Sequence, residues 1–262
     1  MTRRALLALA LALPLPLAAT ACSAITTEKA APATPTPTPT QAKTSAPPTT
    51  APPTPASAPA LTPAQAQAAL ITDADLGEPW APTEGAATWR DGLLKATTDT
   101  PDCQKLLDAL YSEQLFGAGA HVRAATGLDD TWNDAQLHHQ VVAVRPADVD
   151  RTLAWLKTLP KKCATFTAAT ATGAAQNATV SDARLPEIGD ARQALRVTLT
   201  GETADGDETT LTLDVAAVRV GDDALLLTNG GLGDVYPEVT QAVAELAASR
   251  LTDVRKQARV QV

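Results

Sequence analysis

From Leu195 to Thr200, apolar Leu195, Val197 and Leu199 alternate with Arg196, Thr198 and Thr200, the two-residue period of a half-buried strand. A polar stretch from Glu202 to Glu208, centred on Asp205-Gly206, carries a hairpin signal. On the return, Leu211, Leu213 and Val215 alternate with Thr210, Thr212 and Asp214. The parity then shifts, with Val218 and Val220 apolar and Arg219 polar, and a β-bulge at Ala216-Ala217 is expected to restore one apolar face. Gly221-Asp222-Asp223 turns the chain into a third strand, Ala224 to Thr228, so the segment reads as an antiparallel meander. On its polar face, Arg196, Asp214 and Arg219 are expected to meet as a solvated ion pair rather than as ligand contacts. Beyond Gly230-Gly231-Leu232-Gly233, a helix starts near Asp234 to Pro237, with Val239, Val243, Leu246, Leu251 and Val254 at helical spacing. This stripe is expected to pack on the apolar face of the meander.

Upstream, Thr62 as N-cap and Pro63 at the first helical position predict a short helix to about Leu70. A second helix begins at Thr100-Pro101, carries Leu106, Leu107, Leu110 and Tyr111 on one face, and holds Cys103 in its first turn. Ala120 to Thr126 and Leu137 to Arg145 read as strands. Pro146 opens a helix with Asp148 and Asp150 in its first turn and Lys157 in its last, matching the macrodipole. Its apolar stripe is Val149, Leu153, Leu156 and Leu159; Cys163 follows, leading into a Thr/Ala-rich strand at Thr165 to Thr170. Strands and helices are segregated rather than alternating. The fold class is therefore α+β, an antiparallel sheet with a C-terminal meander packed against helices, in a single globular domain over 61–262.

The chain before that domain has a different character. Arg3 and Arg4 precede an apolar run, Ala5 to Ala19, that is too short and proline-broken to span a membrane, so 1–21 reads as a signal peptide. Ala19-Thr20-Ala21-Cys22 resembles a bacterial lipobox, with Ala19 where leucine is usual, and this resemblance implies that the Cys22 thiol carries diacylglycerol. More than one acyl chain, palmitate among them, makes such an anchor durable. Thr2-Arg3-Arg4 suits both a general and a twin-arginine export route. Residues 22–60 read as a lipidated N-terminus and disordered tether, almost wholly Ala, Pro, Thr and Ser from Ala31 to Ala60, a stretch that reaches ~90 Å when fully extended. The composition is equally that of a glycosylated stalk and of a bare linker.

With Cys22 assigned to lipid, Cys103 and Cys163 remain, and in an exported domain they are expected to form a disulfide. Two free buried thiols are the alternative; a metal site lacks the usual close cysteine spacing. The formal charge is −8, and removing Arg3 and Arg4 with the leader takes it to −10. An acidic chain with 3% aromatic residues is a poor nucleic-acid binder and is repelled by anionic lipid heads.

Candidate chemistry is sparse. His138 and His139 would point to opposite faces of a strand and so not share a metal; His121 has no Cys or acidic partner at ligand spacing. No nucleophile elbow, HExxH, P-loop or dinucleotide fingerprint occurs. Asp205-Gly206-Asp207-Glu208 lacks the ligand alternation of a calcium loop and is better explained as a hairpin. Gly230 to Gly233 reads as a flexible strand-to-helix turn. Trp80, Trp89, Trp132 and Trp155 either line a groove or belong to the core. The expectation is a non-enzyme with no cofactor and no metal.

Several features occur together: the Cys22 sequence, the Pro/Thr tether, Leu70-Ile71-Thr72-Asp73-Ala74-Asp75-Leu76-Gly77, the paired cysteines, and Leu185-Pro186-Glu187-Ile188-Gly189-Asp190 before an arginine-bearing meander. In this the domain resembles the sensor-type domains of actinobacterial lipoproteins, similar to the extracellular domain of mycobacterial receptor serine/threonine kinases. The resemblance implies an antiparallel sheet packed on helices beside a cleft, binding a ligand or partner outside the cell. It covers no kinase domain, and where the kinase sensor typically has two disulfides this chain has cysteines for one. The expected role is a non-catalytic sensor or ligand-binding lipoprotein on the outer face of the cytoplasmic membrane, its partners the membrane and an extracytoplasmic ligand or envelope protein. The alternatives are an adaptor for an envelope protein or cell-wall polymer, and a hydrolase.

Overall fold

The computed structural model describes residues 60–202 and 206–260. All of them belong to one of the two units into which the chain divides, Thr54–Val262. The leader, Cys22, the tether up to residue 59 and Asp205 lie outside the described residues.

Nine strands form one sheet: β1 (Trp80–Pro82), β2 (Ala96–Thr97), β3 (His121–Asp130), β4 (Ala135–Ala143), β5 (Thr165–Thr170), β6 (Ala175–Asp182), β7 (Ala191–Glu202), β8 (Glu208–Val220) and β9 (Asp223–Gly231). Their order is β1-β3-β4-β9-β8-β7-β6-β5-β2, and every neighbouring pair is antiparallel. The helices are α1 (Pro63–Ala68), α2 (Asp73–Leu76), α3 (Pro101–Tyr111), α4 (Pro146–Leu156), α5 (Leu159–Lys162) and α6 (Pro237–Val260), with a π-helical turn at Arg90–Leu94. The α+β class and the antiparallel meander are as expected.

Local chemistry sets these boundaries. Thr62 and Gln65 form a reciprocal capping box at α1, with Pro63 supplying the first helical position. The meander turns at Gly221-Asp222 between paired Val220 and Asp223, and Gly221 takes the positive φ (62°) that a two-residue hairpin asks of its first central residue. The edges are short: β1 has three residues and β2 two. β1 covers only Leu128 to Asp130 of β3, and Arg123 is an extra residue where the β3–β4 register shifts.

Both faces of the sheet are covered, and this overturns the expected bulge. On one face, Leu195, Val197, Leu199, Leu211, Leu213, Val215 and Ala217 pack with α3, α4 and α5. On the other, Ala194, Ala216, Val218, Val220, Leu225 and Leu227 pack with α1 and α6. β8 pairs without interruption with both β7 and β9 through Ala216 and Ala217. The parity shift therefore marks where helices cover the second face, not a kink. It follows that α6 does not pack on the face formed by Leu195, Val197 and Leu199. Its Val243, Ala244, Ala247 and Leu251 pack on the opposite one, where small Ala194 and Ala216 admit the helix.

Cys103, in the first turn of α3, is bonded to Cys163, just beyond α5, with Cα atoms 5.7 Å apart. Both are fully buried, and the bridge joins the helices of one layer. Leu159, assigned to the α4 stripe, opens α5 instead, because α4 ends at Leu156 and Lys157 and Thr158 form a turn between the two helices. β6 was not expected. Only its alternate residues Gln176, Ala178 and Val180 are buried, and alanine against threonine gives too little contrast to show a period.

Candidate ligand-binding groove

The histidines are kept apart, as strand alternation requires. His139 is fully buried on the α1/α6 face, where its Nδ1 accepts the Ile71 N–H at 3.5 Å. Burial, reinforced by the charges of His138 and Arg250, holds its pKa down to about 3, so the ring is neutral. His138 faces the other way, with Nδ1 3.5 Å from Glu113 Oε2; burial lowers its pKa although the carboxylate pulls upward. His121 is exposed on β3 beside a pocket of about 340 Å³ that also contacts Asp222 and Asp223.

The expected Arg196–Asp214–Arg219 group is corrected in two respects. Arg196 holds Asp214 through two hydrogen bonds, Nε to Oδ1 at 2.7 Å and an amino group to Oδ2 at 2.8 Å, but Asp214 is buried rather than solvated. The Thr240 hydroxyl donates to Asp214, Asn229 donates to Thr240, and Arg196 also reaches the Val235 carbonyl. The network pins the start of α6 to three strands. Arg219 is absent from it. Without a bulge, its odd position puts it on the opposite face, where Nε donates to Asp150 of α4 at 2.9 Å.

The glycine run is also a packing feature. Gly230 and Gly231 lie in β9, and a Cβ at Gly231 would collide with the Asp134 carbonyl. One at Gly233 would strike the Asn133 carbonyl. The β9–α6 connection is thus pressed against the β3–β4 turn. Gly206, with φ 88°, belongs to the β7–β8 loop, which closes at Glu202 opposite Glu208. Among the described residues no three His, Cys, Asp or Glu side chains are grouped to hold a metal.

The four tryptophans separate. Trp80 is half-buried beside the α1/α6 core; Trp155 donates from Nε1 to Asp102 at 2.9 Å and carries Lys105 Nζ 4.0 Å from a ring centroid. Trp89 is buried, Trp132 is 74% exposed, and both line a groove of about 420 Å³ between the 85–89 segment and the β3–β4 turn. Asp129 fixes one wall: its Oδ1 accepts from Thr83 Oγ1 at 2.8 Å and Gln136 Nε2 at 2.9 Å, and Gln136 also donates to the Gly85 carbonyl. Asp130 fixes the turn. Its Oδ1 accepts the N–H groups of Trp132 and Asn133, and its Oδ2 accepts Asn133 Nδ2. The sequence leaves Trp132 open to a groove or the core; the groove holds, and the turn that carries it was not singled out. A tryptophan inside the polar run Asp129-Asp130-Thr131-Trp132-Asn133-Asp134, between two strands, is the signal that marks it.

No family model and no curated protein matches the chain. Among solved structures, it is similar to the extracellular domain of PknH from Mycobacterium tuberculosis, at 17% identity and a TM-score of 0.44, over 75% of this chain and 97% of that one. It is also similar to the Saccharomyces cerevisiae Ran-binding protein Mog1p, at 11% identity and a TM-score of 0.22, over 55% of this chain and 84% of that one. The first is the kind of domain its sequence motifs resemble.

Proposed function

We propose that the chain is a non-catalytic binding module outside the cytoplasm, held at the envelope by acyl chains on Cys22. The observation that carries the binding role is the groove beside Trp132. An aromatic ring exposed at 74% stands over a concave, partly apolar wall, on a turn fixed by three hydrogen bonds to Asp130. Concave sites with a few ordered polar groups are the usual seats of ligands. The Cys103–Cys163 bond supports the compartment, because such bonds persist on the oxidising side of a membrane. The acidic balance supports a domain held off anionic lipid and away from nucleic acid.

The test is recovery of the native protein from its own envelope, with mass spectrometry of co-purifying small molecules and crosslinked proteins. A specific ligand or partner is expected, and recovery of neither overturns the binding role. Cys22→Ala tests the anchor independently: the chain should move from the membrane to the soluble fraction and lose its acyl mass.

A further inference from the structure

Five large hydrophobic side chains are exposed among the described residues, and three of them, Trp132, Leu232 and Tyr236, lie on the β3–β4 turn and the β9–α6 connection at one end of the sheet. The register Ala135 opposite Gly231 aligns the two segments, and the contact of Gly233 with Asn133 closes them on each other. Asp134 and Asp234 are exposed on the same two segments, and the Tyr236 hydroxyl lies 3.4 Å from Asp234 Oδ2. The field of Asp234, with that of Asp130 behind it, raises the Tyr236 pKa. The charged groups lining the adjoining groove are all aspartates. Among the described residues, cation–ring contacts are seen at Tyr111 and Trp155.

We infer that the Trp132–Leu232–Tyr236 patch docks a basic segment of a partner protein, its Lys or Arg side chains lying across the aromatic faces with their cationic ends at Asp134 and Asp234. Ring faces attract cations electrostatically, carboxylates beside them add charge complementarity, and the long apolar stems of Lys and Arg suit Leu232. Nucleic acid and anionic lipid have the wrong charge for this surface. A small cation would use one ring and leave the rest of the patch bare. Asp130 pre-sets the turn, so little ordering accompanies binding. This inference rests on the binding-module reading and adds the place and the partner's chemistry.

The experiment titrates the isotope-labelled mature chain, tether included, with an acetylated hexapeptide amide alternating Arg and Leu, followed by NMR. The same titration uses the peptide with Glu for Arg, and a neutral gluco-oligosaccharide. With the Arg peptide, the Trp132 indole N–H and the amides of 232–236 are expected to shift, and Trp132→Ala to weaken binding about tenfold without changing the melting temperature. Asp134→Asn/Asp234→Asn should weaken it similarly and flatten its salt dependence, whereas Asp99→Asn/Glu245→Gln, an equal charge change elsewhere, should not. Equal losses in both charge pairs, a response to the Glu peptide or sugar alone, or shifts that avoid the patch each overturn the inference. If the native protein still recovers a partner while the patch stays silent, the assignment of the patch fails and the binding role stands.

Discussion

His139 makes stability depend on pH in a way that can be calculated. It sits at zero exposure between β4 and the α1/α6 layer, with its pKa held near 3 against about 6.5 in an unfolded chain. The unfolded chain therefore takes up a proton as pH falls through 6.5, while the native ring resists protonation until about pH 3. Stability from this group is fully present above pH 6.5 and is lost progressively down to about pH 3. At about 1.4 kcal/mol per pH unit, going from pH 7 to pH 5 removes roughly 2 kcal/mol. His139→Gln removes that contribution. His138, lowered by burial in the same direction, and Asp223, raised by burial in the opposite one, titrate in both proteins and cancel in the comparison. Urea unfolding of both chains at pH 7 and pH 5 measures the difference, with the variant losing about 2 kcal/mol less. Equal losses to within about 0.5 kcal/mol would refute the argument. So would a native His139 ring that titrates near pH 6.5 by NMR, a readout that does not depend on the variant folding.

Three further outcomes follow from the packing. Cys103→Ser/Cys163→Ser opens a loop of 60 residues, and chain entropy puts the cost at about 4 kcal/mol, read as a lower urea midpoint and reproduced by reductant. Asp214→Ala leaves Arg196 and Thr240 without their acceptor beneath α6 and should cost about 3 kcal/mol; Asp214→Asn, which keeps the shape, should cost less. Gly231→Ala drives a methyl into the Asp134 backbone, so it should destabilise by about 2 kcal/mol and change Trp132 fluorescence, because the two segments are in contact.

The legible parts of the fold were those where neighbouring positions differ strongly in polarity. Leu195 to Thr200 and Thr210 to Val215 alternate Leu or Val with Thr, Arg or Asp, and both lie in strands of the meander. The second layer was harder to read. Ala194, Ala216 and Ala217 are buried by helices on both sides, yet alanine has no strong preference for either environment, so the parity shift looked like a bulge. The clearer cue was Ala224-Leu225-Leu226-Leu227, buried without interruption, as befits a central strand covered on both faces. Misplacing that one alternation also misplaced Arg219. The site was illegible for another reason: Trp89 and Trp132 of the groove, and Tyr236 of the adjoining patch, are far apart in sequence, and only the antiparallel return of β9 beside β4 brings the segments of the last two to one end of the sheet.

The open side of β3 has a consequence for crowding. Most sheet edges invite a neighbouring strand, and a surface displaying many copies side by side would favour polymerisation through them. Here residues 121–126 lie beyond both the pairing with β1 and the Thr83 N–H that reaches Gly127, and the extra residue among them is Arg123. An extra residue breaks the even spacing of donors and acceptors that an incoming strand must match, and its charge repels another copy presenting the same edge. Each molecule can thus stand close to its neighbours and remain separate from them.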